Sequence, residues 1–143
     1  MISLKQLVPL TSAANRRRTL ALIVGDACVF VIFAAVGRDT HHEAAGIGAF
    51  WQVVATAAPF ALGWFIVAPF LGVYRESVTA NVRAMLKHTA LGWVCAWPVA
   101  MLLRGLFRQE IPPLSFALVV LIANLVFLSV WRGLFALVAN RRR

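Results

Sequence analysis

Four long apolar segments dominate this sequence and constrain what it can fold into. They cover residues 19–37, 50–73, 86–103 and 114–138. A helix of about 20 apolar residues crosses the hydrocarbon core of a bilayer. Because 62% of the residues are hydrophobic and only 13% are charged, the chain has too little polar surface to cover a water-facing globule. The sequence therefore predicts an all-α polytopic membrane protein, a compact bundle of four transmembrane helices.

The lysines and arginines predict how this bundle is oriented. On one side of the predicted membrane lie Lys5, Arg16–Arg18, Arg75, Arg83, Lys87 and Arg141–Arg143, and on the other lie Arg38, Arg104 and Arg108. Since cytoplasmic loops carry an excess of such residues, we expect both termini in the cytoplasm. Residues 1–18 then form a basic N-terminal tail, and residues 139–143 form a basic C-terminal tail.

The net charge of +9 raises the question of a nucleic-acid partner. Nucleic-acid-binding domains carry their basic residues as a patch or stripe on a soluble face. Here the basic residues lie at the ends of apolar segments, where they serve membrane topology. The predicted partners are therefore the lipid bilayer and a second copy or another membrane protein, and not nucleic acid.

Asp26 and Arg132 are charged residues inside apolar segments. An ionised side chain in mid-membrane costs roughly 2.5–3.5 kcal/mol on insertion scales, so each should face protein or water. Asp26 lies about 10 Å from the start of the first helix and Arg132 about 12 Å from the end of the fourth, at the helical rise per residue. We predict that they pair. The alternatives are a locally hydrogen-bonded carboxylate or a proton-relay role for Asp26, and an arginine that extends to the headgroups for Arg132.

Asn124 is a further polar residue deep in the fourth segment, and we expect it to make an interhelical hydrogen bond. Small residues predict where the helices approach closely. Gly92, Ala96 and Ala100 recur every four residues on the third segment, which is the spacing of close helix–helix seams.

A polar cluster follows the first segment, at the side opposite the termini. It consists of Arg38, Asp39, His41, His42 and Glu43. Histidine and carboxylate side chains suit divalent metals, and His41 and Glu43 are the candidate ligands. However, adjacent histidines do not share a helical face, and the sequence has no established metal spacing. We expect a solvated interfacial loop, with no metal and no cofactor.

Several blocks of this sequence resemble the signatures of a bacterial membrane-protein family, domain of unknown function 3054. The first block comprises Asp26, Phe33, Ala34, Ala35, Gly37, Arg38, His41 and Glu43. The others are Pro59, Phe60 and Gly63, then Leu103–Arg104, and the stretch from Phe116 to Trp131–Arg132. The resemblance covers roughly residues 19–133, and the sequence differs from the pattern at His42 and Pro98. It implies four transmembrane helices in a bacterial plasma membrane, and it brings no known activity.

Three classes of function follow from these observations. The first is a structural or accessory membrane subunit, or a homo-oligomer. The second is a small oligomeric transporter, or a proton- or ion-conducting protein that uses Asp26. The third is a membrane enzyme or a metal or cofactor binder that uses His41 and His42. We find no catalytic motif, so the sequence does not predict an enzyme, and we favour the first class.

Overall fold

The computed structural model describes residues 13–39 and 46–142, and this part of the chain is helical without strands. Its elements are α1 (Ala13–Asp39), α2 (Ile47–Val67), a 3-10 helix (Ala68–Leu71), α3 (Glu76–Thr79), α4 (Val82–Arg108) and α5 (Leu114–Arg141). Helices α1, α2, α4 and α5 are long and apolar enough to cross a membrane. The predicted all-α class and the four membrane helices are thus confirmed.

The four long helices form an up-and-down bundle. Helix α2 packs against α1 and α4, α4 packs against α5, and α5 returns to α1 to close the ring. Short connections favour this antiparallel arrangement of consecutive helices. We call the end that holds the start of α1 and the finish of α5 the terminal end. The opposite end, where α1 and α4 finish and α2 and α5 begin, is the distal end.

Helix α1 begins earlier than the sequence predicts. It starts at Ala13 rather than Thr19, so residues assigned to the N-terminal tail belong to the helix. No glycine or proline interrupts residues 13–18, and arginine is a good helix former, so the helix continues past the apolar segment. The side chain of Arg18 donates a hydrogen bond to the Thr79 carbonyl and thereby connects this extension to α3.

Helix α2 ends earlier than the predicted limit at residue 73. Pro69 has no backbone N–H and cannot continue the α-helical hydrogen bonds, and the chain changes to the 3-10 helix at this point. Gly72 follows in the left-handed conformation, with a φ of 67° that glycine adopts without strain. As a consequence, the chain turns back toward the bundle before α3.

Helix α4 extends beyond the predicted segment of residues 86–103 at both ends. At its start, the Asn81 side chain accepts a hydrogen bond of 3.2 Å from the Ala84 N–H, a favourable N-cap. At its finish, Gln109 adopts a left-handed conformation with a φ of 53°, which terminates the helix. The caps, rather than the limits of the apolar segment, set the length of this helix.

Small residues bring α2 and α4 into close contact. A Cβ atom added at Gly63 would lie 2.9 Å from the Ala100 backbone, so the two helices touch at a separation that only glycine permits there. Gly92, Ala96 and Ala100 are all buried, as the predicted small-residue seam requires. In lipid, where apolar burial does not drive helix association, such close packing supplies much of the attraction.

Indole side chains of α4 connect it to α5. The Trp93 and Trp97 Nε1–H groups each donate a hydrogen bond of 2.9 Å, to the carbonyls of Leu121 and Ala117 respectively. Buried indole N–H groups need such partners because lipid offers none. These two bonds fix the register of α4 against α5.

The outward faces of the long helices carry aliphatic side chains. Leu20, Ile66, Leu102 and Ile122 are exposed, with at least 49% of each surface accessible. Lipid covers such faces in a membrane-spanning bundle. Cys28 and Cys95 also lie on exposed faces and are unpaired thiols.

Candidate functional site

A bidentate ion pair between α1 and α5 lies inside the terminal half of the bundle. The Arg132 Nη2 atom lies 2.6 Å from Asp26 Oδ2, and Arg132 Nε lies 2.9 Å from Asp26 Oδ1. Both side chains have no accessible surface. The pair predicted from the depths of the two residues is therefore present, and it excludes the alternative in which Arg132 extends to the headgroups.

The neighbouring residues in sequence explain how α1 and α5 approach closely enough for this pair. Gly25 precedes Asp26, and Trp131 precedes Arg132. A Cβ atom at residue 25 would overlap the Trp131 indole, so the ring packs directly on the α1 backbone. The absence of a side chain at Gly25 therefore positions the carboxylate within reach of the guanidinium.

Two further side chains complete the coordination of the carboxylate. Asp26 Oδ2 accepts a hydrogen bond of 2.6 Å from the Tyr74 hydroxyl and one of 3.1 Å from Trp64 Nε1. The Trp64 Nε1 atom also lies 3.1 Å from the Tyr74 oxygen. Donors from α2 and from the connection after the 3-10 helix thus meet at one carboxylate oxygen.

The Arg132 guanidinium is likewise surrounded. Its Nη1 atom donates to the Val73 carbonyl at 3.4 Å and contacts Met85 Sδ at 3.6 Å. Its central carbon lies 5.1 Å from the Trp64 ring and 4.8 Å from the Tyr74 ring, within the range of cation–π attraction. We refer to Asp26, Arg132, Tyr74 and Trp64 together as the Asp26 network.

The sequence predicts the two charges of this network but not the contacts of Tyr74 and Trp64. The predicted ion pair itself indicates that such residues are present, because a buried ion pair is stable only when further hydrogen bonds satisfy its remaining donors and acceptors. Tyr74 is the single tyrosine of the chain and follows the second apolar segment directly. A search for hydroxyl and indole donors near that segment would have suggested it.

The electrostatics of the network keep the tyrosine protonated. Burial, followed by the negative charge of Asp26, holds the pKa of Tyr74 well above its usual value near 10. The hydroxyl therefore remains a donor to the carboxylate. Chemically, this arrangement joins α1, α5, α2 and the turn after the 3-10 helix, and every donor that faces the carboxylate is in use.

Asn124 does not make the expected interhelical bond. Its Nδ2 atom donates 3.1 Å to the Val120 carbonyl, one turn earlier on the same helix, and its buried Oδ1 atom has no partner among the described residues. The Trp93 indole N–H on α4 donates to the Leu121 carbonyl of α5 and makes no bond to Asn124. The expectation for Asn124 is therefore wrong, because a backbone acceptor within α5 satisfies the amide nitrogen.

Of the side chains in the polar cluster after the first segment, the structure describes only that of Arg38. Its Nη1 atom donates to the Ala49 carbonyl at 3.2 Å and to Gln52 Oε1 at 2.5 Å, which joins α1 to α2. His41, His42, Glu43 and the side chain of Asp39 lie outside the described residues. In the described ranges, no group of three histidine, cysteine, aspartate or glutamate residues could hold a metal.

A cavity of about 970 Å³ opens at the distal end between all four long helices. Its apolar wall includes Phe33, Pro59, Phe107, Phe116 and Val119, and its polar wall includes Arg38, Gln52, Arg104 and Arg108. The Phe33 ring packs edge-on against the Phe60 ring at a centroid distance of 5.8 Å, and Phe60 lies 6.3 Å from Phe116. Two rings of the cavity wall, Phe33 and Phe116, thus pack on Phe60, which is buried in the bundle core.

Arg104 points its guanidinium at the aromatic wall of the distal cavity. The central guanidinium carbon lies 4.3 Å from the Phe116 ring centroid and 5.9 Å from that of Phe60. In the sequence, Arg104 and Arg108 indicate only the membrane topology, and they do not predict the distal cavity. The lining comes from separated stretches of all four helices, and no local motif marks it.

The fold and the buried ion pair define a small four-helix integral membrane protein. The chain belongs to the family described as Protein of unknown function (DUF3054), which matches residues 23–135. This confirms the resemblance seen in the sequence. The matched range includes every member of the Asp26 network and the arginines of the distal cavity. No curated protein and no solved structure gave a significant match to the chain.

Because the chain has one tyrosine, its ionisation can be followed directly by the ultraviolet absorbance of the phenolate. In folded protein in mild detergent, we expect Tyr74 to ionise well above pH 10, since burial and Asp26 both disfavour the anion. In protein unfolded by denaturant, the midpoint should fall to about 10. Asp26→Asn should lower the folded midpoint by removing a negative charge. A folded midpoint near 10 that Asp26→Asn leaves unchanged would contradict the described network.

Proposed function

We propose that this protein is a structural or accessory subunit of the bacterial plasma membrane, which acts through its outer faces on another membrane protein or on further copies of itself. The observation that carries this proposal is the state of Asp26. This carboxylate lies within a membrane-spanning helix and is fully buried, and its oxygens accept hydrogen bonds from Arg132, Tyr74 and Trp64.

The geometry supports this role over ion or proton conduction. A conducting carboxylate must exchange its proton or ion with a water-filled path, and intramembrane carboxylates that do so face a cavity. Asp26 instead faces a guanidinium, a hydroxyl and an indole. Separating Asp26 from Arg132 would leave a buried charge without its partner, so a transport cycle through Asp26 would have to replace these contacts in every turnover.

The outer faces of the bundle are the surfaces available for assembly. Exposed aliphatic residues such as Leu20, Ile66 and Ile122 cover them, and these faces contact either lipid or another transmembrane helix. The hydrogen-bonded interior holds the helices that carry these faces together. An accessory subunit needs such a surface and no catalytic centre.

For its orientation, we propose that both termini face the cytoplasm, because basic residues are concentrated at the terminal end. Arg16, Arg17, Arg75, Arg83 and Lys87 are all found there. A green fluorescent protein fused after Arg143 should fluoresce in bacterial cells, whereas a periplasmic alkaline phosphatase fused at the same place should be inactive. The opposite pair of results would reverse the orientation.

Reconstitution separates the accessory role from conduction. We expect proteoliposomes that contain the wild-type protein to dissipate a pH gradient no faster than protein-free vesicles, because Asp26 is sealed in its network. Native mass spectrometry of protein extracted gently from its own membrane should show a partner or a second copy at fixed stoichiometry. Proton flux in the wild type that Asp26→Asn abolishes would favour the conducting class instead. A bare monomer without flux would contradict the accessory role.

A further inference from the structure

We propose that the distal cavity binds an anionic membrane lipid, with its apolar chain inside the cavity and its phosphate or carboxylate group on Arg104 and Arg108. This site lies at the end of the bundle away from the Asp26 network. Its test is independent of the accessory role, because lipid binding is measured on the isolated protein.

The position of the cavity indicates an occupant that comes from the bilayer. Every residue that lines it belongs to one of the four membrane-spanning helices. Its volume of about 970 Å³ lies at the upper end of the range of roughly 300–1,000 Å³ that ligand sites occupy. The aromatic and aliphatic side chains Phe33, Pro59, Phe116 and Val119 offer an apolar chain the contacts that it would otherwise make with other lipids.

The charges of the cavity indicate that the occupant carries an anion. Arg104 has aromatic rings as its contacts and makes no hydrogen bond to an acceptor within the described residues, although a guanidinium carries five donors. Arg108 is exposed one turn later on α4 and adds a second positive charge. The carboxylate described near Arg104 is that of Glu110, which leaves the two arginines with an excess of positive charge.

The guanidinium group of an arginine can donate two parallel hydrogen bonds to the oxygens of a phosphate or a carboxylate. A headgroup bound at Arg104 would satisfy these donors while the guanidinium remains stacked on Phe116. Pro59 adds an acceptor, since it lacks the N–H that would bond the Ala55 carbonyl, and Ala55 lines the same cavity. The cavity thus offers an apolar wall to a lipid chain and arginine donors to a charged group, with a backbone acceptor in the same wall.

The test uses delipidated protein in mild detergent, titrated with phosphatidylglycerol or with phosphatidylcholine of the same chains and observed by native mass spectrometry. We expect the anionic lipid to bind about tenfold more tightly or better, since hydrogen bonds to charged groups discriminate at this level. Arg104→Gln should reduce the preference to near one. Arg108→Gln, at an exposed position that tolerates the change, should also weaken the preference for the anionic lipid. This variant replaces Arg104→Gln in the test if Arg104→Gln does not fold.

Arg83→Gln is the matched charge control, because Arg83 is exposed at the terminal end. It should retain the preference. Equal losses in Arg83→Gln and Arg108→Gln would mean that general electrostatic attraction, and not the distal cavity, selects the lipid. This result would overturn the proposal, as would equal binding of the two lipids to the wild type.

A second pair of variants tests whether the chain occupies the cavity. Ala58→Leu adds bulk to the cavity wall without changing charge, and Ala21→Leu adds the same bulk on an exposed face of α1. We expect only Ala58→Leu to weaken phosphatidylglycerol binding, in protein whose melting temperature is retained. Glycerol phosphate, which has the headgroup but no chain, should not displace the lipid. Displacement by glycerol phosphate together with an unaffected Ala58→Leu variant would identify a site for a soluble anion instead.

Discussion

The rest of the structure depends on one buried ion pair. Placing Asp26 and Arg132 inside an apolar bundle carries a desolvation penalty of several kcal/mol per ion, and only close geometry with additional hydrogen bonds offsets it. The bidentate contact, the Tyr74 hydroxyl and the Trp64 indole supply that geometry. Because the members come from α1, α2, α5 and the turn after the 3-10 helix, the network determines which helices meet in the terminal half.

The two ends of the bundle are built differently, and this difference suggests a division of roles. In the terminal half, the two buried charges, Asp26 and Arg132, pair with each other and have further hydrogen-bonding partners, and Gly25 allows Trp131 to pack on the α1 backbone. At the distal end, the helices enclose a cavity, and Arg104 rests on Phe116 without a bound acceptor in the described chain. A half held by buried polar contacts and a half with an open cavity suit a protein that is held together at one end and binds at the other.

The sequence predicted the architecture well because its signals are local. Segment length and apolar content fix which helices span, and the depths of Asp26 and Arg132 along antiparallel helices were enough to predict their contact. Tyr74 was missed because its position depends on a change of direction at Pro69 and Gly72, which brings a connecting residue back into the bundle. Asn124 does not make the predicted interhelical bond because an intrahelical carbonyl competes with interhelical ones, and the pattern of residues does not decide between them.

The distal cavity could not be predicted for a related reason. It is a space between helices, so it depends on how four separated stretches pack rather than on any one of them. The sequence positions of Arg104 and Arg108 indicate only the membrane topology. The packing of the helices shows that both arginines line the same cavity as aromatic residues. The residues 40–45, which include His41, His42 and Glu43, lie outside the described ranges, and the solvated loop without a metal that the sequence predicts there stays a prediction.

The measurement that tests the central claim most directly is a double-mutant cycle on the ion pair, read as the free energy of unfolding in mild detergent. Asp26→Leu and Arg132→Met each leave a buried charge without its partner, so each should cost about 3–5 kcal/mol. The double variant removes both charges and should cost far less than the sum. Additive losses, within the roughly 0.3–0.5 kcal/mol expected for independent sites, would show that the two residues do not interact and would contradict this account of the fold.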